Sequence, residues 1–255
     1  MGGEDPGPKG RRVTRNRPVP KVSAEDAAFV RGLVIHEDGK VIVFNKPSGL
    51  AVQGGGGVAQ SLDDLLAAFA KSNGKRPRLV HRLDQGTSGV MITARTQPAA
   101  AFLSEEFASR RTEKTYLALV RGGLPASDEG ALDAPLVKVA EAGRPRMIAA
   151  KPDRKGAQAA VTHWRILSRA GDAALVEARP ETGRMHQIRA HLSIAGMPIL
   201  GDWLYGAGAQ GAPRLMLHAA KLSVRHPDGM EMRFDAPLPE DFRQLAEKLG
   251  LQSGL

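Results

Sequence analysis

The apolar positions of this chain fall into two periods, and their alternation predicts most of its elements. Val41-Ile42-Val43-Phe44 is an unbroken apolar run, as expected of a strand buried on both faces, and it leads into the turn residues Asn45-Lys46-Pro47-Ser48-Gly49. Gly54 to Gly57 reads as a flexible loop. Ser61, with Asp64 three residues on, has the form of a capping box, and Leu62, Leu65, Leu66 and Phe69 give the helix after it one apolar stripe. Leu79-Val80 and Val90-Met91-Ile92 read as strands on either side of residues 81–89. Pro98 opens a helix to about Arg110, and Thr115 to Val120 is a strand. The stretch from Gly122 to Gly156 is loop-rich and basic. Val161 to Leu167 and Ala174 to Ala178 form a strand pair across a turn at Gly171-Asp172. Met185, Ile188, Leu192 and Ala195 mark the core face of a helix that Gly196 closes. Leu215 to Val224 and Met230 to Phe234 are strands joined by Pro227-Asp228-Gly229, and a last helix begins at Pro239 with Phe242, Leu245 and Leu249 on one side. Strands outnumber helices and several are hairpin-linked. The expectation is an α+β fold with a mixed, largely antiparallel sheet flanked by helices and loops.

Residues 1 to 24 are rich in Gly, Pro and Arg and carry no apolar period, so they read as a flexible basic tail; 25–255 is expected to be a single domain. The tail holds six basic residues (Lys9, Arg11, Arg12, Arg15, Arg17 and Lys21) against Glu4 and Asp5. The net charge of the whole chain is +9. Its pI is near 10.1. Much of that charge therefore lies in the body, where Lys71, Lys75, Arg76, Arg78 and Arg82 follow one another without an intervening acid. A basic tail on a basic body favours a polyanionic partner, nucleic acid first. Aromatic residues make up only 4%, which argues against a base-stacking platform of the single-strand binders' kind. The chain contains no cysteine, which excludes disulfides, thiolate zinc sites and cysteine nucleophiles. No apolar run approaches the ~20 residues of a membrane span, and we read no secretory signal, so a cytoplasmic protein is expected.

Some motif matches lack their context. Gly206-Ala207-Gly208-Ala209-Gln210-Gly211 fits a dinucleotide fingerprint, but it follows Trp203-Leu204-Tyr205 and runs into Pro213 rather than opening a helix after a strand. Gly54 to Gly57 lacks the Gly-Lys-Ser/Thr ending of a phosphate loop. His186 and His191 are five apart, not the four that would turn both to one metal, and His163 and His218 read as strand residues with ordinary partners. No metal ligand set is expected.

His81-Arg82-Leu83-Asp84-Gln85-Gly86-Thr87-Ser88-Gly89 is different, because it sets Asp84 on a short connection between two rigid strands. Thr87 and Ser88 are placed to bond the turn backbone, and Gly89 permits close approach or positive φ. By itself this segment fits a turn-capping aspartate better than a catalytic one. Two others change that. Glu113-Lys114-Thr115-Tyr116 puts a tyrosine at a strand start, and Glu181 to Arg189 brings His186 and Arg189 onto one helix flank. An arginine there can pair with Asp84 and keep it ionised, while an aromatic ring can cover a flipped-out base.

Together these segments resemble the RluA family of RNA pseudouridine synthases over most of residues 34–235. The motifs are Val43 to Gly49, His81 to Asp84 with Thr87-Ser88-Gly89, Thr182 to Arg189 with His191, Gly196 through Gly201-Asp202 and Tyr205-Gly206, and Leu215-Met216-Leu217-His218-Ala219. Ala51-Val52-Gln53-Gly54-Gly55 and Ala134-Pro135-Leu136 look closest to the branch that modifies large-subunit ribosomal RNA. The resemblance implies a pseudouridine synthase fold over 25–255 and a cofactor-free isomerisation of uridine, with ribosomal or transfer RNA as substrate. It implies Asp84 as nucleophile or base, Tyr116 stacked on the uracil and Arg189 as the salt-bridge partner of Asp84. Arg82 would fill the gap left by the flipped nucleotide or touch the backbone, and Leu217 would pack under the base. Attack at C1′, attack at C6 and removal of a 2′ proton all remain open.

Two departures stand out. Gln85-Gly86 occupies a place where the family more often has a charged or bulkier pair, which predicts a looser turn. Ribosomal-RNA members often carry an N-terminal S4-type domain, and the basic tail is too short to hold one, so docking is expected to rest on the body and tail of a monomer. The rivals are a non-catalytic ribosome-assembly factor, which should lack at least one of Asp84, Tyr116 and Arg189, and a uridine methyltransferase or deaminase, which usually needs cysteine chemistry or a nucleotide-cofactor loop.

Overall fold

A computed structural model describes residues 22–252 apart from 56, 142, 207 and 209, so most of the predicted tail lies outside the described residues, as do parts of the Gly54–Gly57 and 206–211 segments. In chain order the elements are α1 (Ala24–Gly32), β1 (Val34–Glu37), β2 (Val41–Lys46), α2 (Leu62–Leu65) running into a 3-10 turn (Leu66–Phe69), β3 (Arg78–Leu79), β4 (Ser88–Ala94), α3 (Gln97–Ala108) and β5 (Glu113–Arg121). They continue with β6 (Glu129–Leu132), β7 (Leu136–Glu141), β8 (Arg144–Ala149), β9 (Thr162–Ala170), β10 (Ala173–Pro180), α4 (Gln187–Ile194), β11 (Leu217–Arg225), β12 (Glu231–Asp235) and α5 (Glu240–Lys248).

The main sheet has the strand order β1-β2-β4-β11-β5-β10-β9-β6, with β12 beside β11 and β3 beside β4. One pairing is parallel, His218↔Ser88 and Ala219↔Gly89 between β11 and β4, and the remaining strand pairs are antiparallel. The mixed, largely antiparallel α+β expectation is met. That short parallel contact is the seam of the sheet. Gly89 holds φ +115°, and a Cβ there would sit 2.1 Å from the Ala219 carbonyl oxygen, so both reasons for a glycine apply at once.

Alternation explains how the sheet is clothed. Val41 and Val43 of β2 meet Val90 and Ile92 of β4 under α3, while Ile42, Phe44 and Met91 face α1, α2 and the 3-10 turn. Both strands are therefore buried on both faces, as an unbroken apolar run demands. On the other side of the seam, Leu117, Leu119, Leu175 and Val176 pack with Ile188 and Leu192 of α4 and with Phe242 and Leu245 of α5. Tyr116 touches both of these cores.

The predicted elements are found, with four corrections. Residues 122–156 are not a loop: they hold β6 and the β7–β8 ribbon, whose register runs from Leu136↔Ala149 to Glu141↔Arg144. Their period was masked because Leu136, Val137 and Met147 are buried in the ribbon while Lys138, Glu141 and Arg144 are not. Helix α1 escaped notice because Val30 is its one buried residue, although Ser23 caps it by accepting from the Asp26 amide. Strand β1, an edge strand with a half-exposed pattern, also went unread. The fourth helix starts at Gln187 rather than Met185, since His186 is left-handed at φ +50°.

Candidate active site

The seam sets the site. β4 begins at Ser88, just past the loop that carries Asp84, and β11 begins at Leu217 beside it. Leu217 pairs with Ala118 and Ala219 with Tyr116, which places Leu217 and Tyr116 on the same face of the sheet. Against this face lies α4 with Arg189. All five predicted residues, Arg82, Asp84, Tyr116, Arg189 and Leu217, line one cleft of about 670 Å³. Leu217 is buried in its floor, Asp84 and Tyr116 are partly covered, and Arg82 is exposed at its edge.

The Asp84 loop is tied to its neighbours rather than loose. Gly49 N–H donates to the Gln85 carbonyl at 2.9 Å, Gln85 Nε2 donates to the Gly49 carbonyl at 3.0 Å, and Ser48 Oγ donates to the Gly86 carbonyl at 2.7 Å. Lys46 is fully buried behind it. Its ammonium donates to the carbonyls of Pro47, Leu50 and Gln85 at 2.9, 2.9 and 3.2 Å. Burial pushes Lys46 down to about 7, against the pull of the Asp84 charge and with the push of Arg214. The looser turn expected from Gln85-Gly86 is not found, because the side chain of Gln85 and the carbonyls of both residues are bonded to the 46–50 turn. At the other end of the loop, His81 Nε2 accepts from the Ile92 amide at 3.0 Å, and its ring stacks on Phe107 at 4.3 Å. Burial, then the Lys114 charge, pushes His81 down to about 3. Thr87 and Ser88 differ from expectation. The Ser88 hydroxyl bonds His218 Nδ1 at 2.9 Å, and the buried Thr87 hydroxyl has no hydrogen-bond partner among the described residues.

Arg189 is held before it reaches Asp84. Its Nε and Nη2 donate to the two oxygens of Asp202 at 2.7 and 2.9 Å, and its Nη1 donates to Asp84 Oδ2 at 3.4 Å. Asp202 is buried and also accepts the Leu204 and Tyr205 amides. Burial works against the guanidinium charge, but the Asp202 bonds and the charges of Asp202 and Asp84 more than offset it, so the Arg189 pKa is raised. For Tyr116, burial and then the Asp84 charge both push the phenol's pKa up, so it stays protonated.

Sequence reasoning quoted Lys46, Asp202 and Tyr205 within motifs without giving them roles. Asp202 and Tyr205 matter through partners far away in the chain, and a lysine after a strand ordinarily reads as exposed. Lys114 and Arg110 were not singled out either. They line the same cleft, Lys114 is half-buried, and burial and then Arg110 push its pKa down. Arg110 is left-handed at φ +58°. Of the dismissed histidines, His191 is buried between Thr162 and the Ala134 carbonyl and His163 meets Glu181, whereas His186 is not on the helix but at its left-handed N-cap. No group of three or more His, Asp or Glu among the described residues is arranged to hold a metal ion.

Residues 40–194 match the model of a family described as RNA pseudouridylate synthase. The chain belongs to that family. It is 37% identical over 214 residues, 83% of its length and 96% of the relative's, to an uncharacterized RNA pseudouridine synthase of Zymomonas mobilis. It is 36% identical over 235 residues, 88% of its length and 72% of the relative's, to ribosomal large subunit pseudouridine synthase C of Escherichia coli K12. Among solved structures, human RNA pseudouridylate synthase domain containing 4 superposes with a TM-score of 0.75 at 30% identity, covering 89% of this chain and 98% of the other. The resemblance drawn from the motifs holds: this is a pseudouridine synthase, an isomerase. No helix among the described residues is long and apolar enough to cross a membrane.

Proposed function

We propose that this enzyme isomerises specific uridines of large-subunit ribosomal RNA in the cytoplasm, with Asp84 as the reacting carboxylate and residues 25–255 as one catalytic domain. The observation that carries the reading is Asp84 itself: its carboxylate lies in the cleft of Tyr116 and Leu217 and is paired with an arginine that a second, buried carboxylate already fixes. In the reaction the N1–C1′ bond breaks, the uracil turns, C5 bonds C1′, the C5 proton leaves and N1 takes up a proton, so that product and substrate are isomers. Attack at C1′, attack at C6 and removal of a 2′ proton all start from an ionised carboxylate, and Arg189 Nη1, 3.4 Å from Asp84 Oδ2, is its counter-charge. Tyr116 covers one face of the extruded base and Leu217 packs under it, so the ring is held while it turns. Arg82, at the cleft edge, takes the gap in the strand or a phosphate. The large-subunit branch is supported by the relatives named for it and by the motif pieces at 51–55 and 134–136. The docking surface is the Lys/Arg face of a monomer together with the basic tail.

The test is a map of pseudouridine in total RNA from cells with and without the gene. Loss of one or more large-subunit sites is expected. Loss confined to transfer RNA would move the substrate, and no loss anywhere would leave the assembly-factor reading in its place. Shortening the chain by residues 1–21 should weaken RNA binding and make its salt dependence shallower, by about one counterion per cation removed from the contact.

A further inference from the structure

We propose that His186 is a positioning residue: its uncharged Nε2–H joins Arg189 in holding one oxygen of Asp84, leaving the other oxygen to meet the substrate. The proposal rests on the reading of Asp84 as the reacting carboxylate.

The backbone raises the question. His186 stands at the N-cap of α4 in the left-handed region, φ +50° and ψ +22°, and its side chain caps nothing. A non-glycine residue held there costs on the order of 1–2 kcal/mol, so something else must fix it. Its ring is fixed from behind. Nδ1 lies 3.2 Å from the Tyr205 hydroxyl, and the two rings meet edge-on at 5.7 Å. That hydroxyl already accepts the Met147 amide at 2.7 Å. An amide N–H only donates, so the phenol keeps its own proton to give, and among the described residues His186 Nδ1 is the acceptor bonded to it. Burial pushes the Tyr205 pKa up, which keeps that proton in place.

The tautomer follows. Nδ1 accepts, the ring proton sits on Nε2, and Nε2 is the nitrogen that faces Asp84 Oδ2 at 3.9 Å. Burial lowers the His186 pKa, with Asp84 pulling up, Arg189 pushing down and Asp202 pulling up. Arg146 of β8 also stands against this group, its guanidinium 5.1 Å from the centre of the Tyr205 ring, and Arg184 lines the same cleft. A histidine so placed stays neutral while still presenting an N–H.

The two N–H groups that face Asp84 converge on one atom: Arg189 Nη1 at 3.4 Å and His186 Nε2 at 3.9 Å both point to Oδ2. The longer contact is electrostatic in the free enzyme, and closing it to a hydrogen bond takes a movement of about 1 Å. Once that contact closes, a carboxylate engaged on one side by two donors is fixed in rotation, and Oδ1 is left to react. A second full cation would hold it too, but a cation beside a carboxylate also makes it a weaker base. A neutral imidazole orients at a smaller loss of reactivity.

Three variants test this. His186→Phe keeps a ring without an N–H, and should lower kcat about 10- to 100-fold while KM and RNA affinity stay within about threefold. His186→Gln restores an N–H near Nε2 and should recover most of kcat. Tyr205→Phe frees Nδ1 to take a proton, so the acidic limb of the kcat profile should move to higher pH. Nitrogen-15 NMR of His186 in the wild type should show the Nε2–H tautomer with a lowered pKa. The proposal is overturned by an unchanged kcat in His186→Phe, by a loss confined to KM, by a Tyr205→Phe profile that superposes on the wild type, or by an Nδ1–H tautomer. The NMR result needs no turnover. It therefore judges His186 even if the wild type makes no pseudouridine, an outcome that would sink the reading of Asp84 instead.

Discussion

On the α4 side of the cleft the central charges meet their opposites: Arg189 is clamped on Asp202 and reaches Asp84, and His186 is bonded to Tyr205 beside them. On the α3–β5 side, Arg110 and Lys114 stand together with no acid bonded to either among the described residues, and burial and then Arg110 disfavour the charge of Lys114. The first wall is complete without substrate, as preorganised chemistry requires. The second carries positive charge with no acid bonded to it, which suits a phosphodiester. On the proposed reading, reaction and grip therefore lie on opposite sides of one cleft, and each side can be broken separately.

The largest break is Asp84→Asn, which should lower kcat by at least about 10³-fold while RNA binding in a filter assay stays near wild type. Weakened binding of the same size would join the two walls into one function. Next is Asp202→Asn, which takes one partner from a buried ion pair. A stability loss of roughly 3–5 kcal/mol is expected in urea titrations, together with a fall in kcat as Arg189 loses its anchor. The opposite wall should respond in the opposite sense. Lys114→Met is expected to raise KM about 3- to 10-fold and to flatten the salt dependence of binding by about one counterion, without loss of fold stability. A fall in kcat alone would make Lys114 part of the chemistry.

The smallest effect is in pH. Burial pushes His81 to about 3 and His218 to about 4, both below the ordinary 6.5. The unfolded chain therefore binds more protons than the folded one between those values and 6.5. Stability from these groups is fully present above pH 6.5 and declines as pH falls through the window toward 3. Melting measured from pH 7 down to 4 should show it, and Lys114→Met should raise the His81 pKa seen by NMR.

How far the sequence disclosed this depends on how local each cause is. β2 and β4 were legible because runs such as Val41 to Phe44 have no polar position that could face water. The Asp84 loop was legible as a placement, since turn residues between two such strands admit few alternatives. The β7–β8 ribbon was not, because only Leu136, Val137 and Met147 of its side chains are buried and the charges of Lys138, Glu141, Arg144 and Arg146 break up the apolar period. His186 read as an ordinary helix residue, since left-handed φ in a non-glycine leaves no mark on composition. Lys46 was hidden for a related reason. Its burial depends on three carbonyls, one of them 39 positions away in sequence.

Gly89 carries a consequence for how this site tolerates change. With its α-carbon pressed against the Ala219 carbonyl, the distance between the strand after Asp84 and the strand of Leu217 is gauged by two backbones in contact. A single methyl group at residue 89 would act as a wedge, parting the carboxylate from the floor beneath the base without touching either. The spacing of those two strands is thus kept by backbone alone, whatever the size of the side chains they carry.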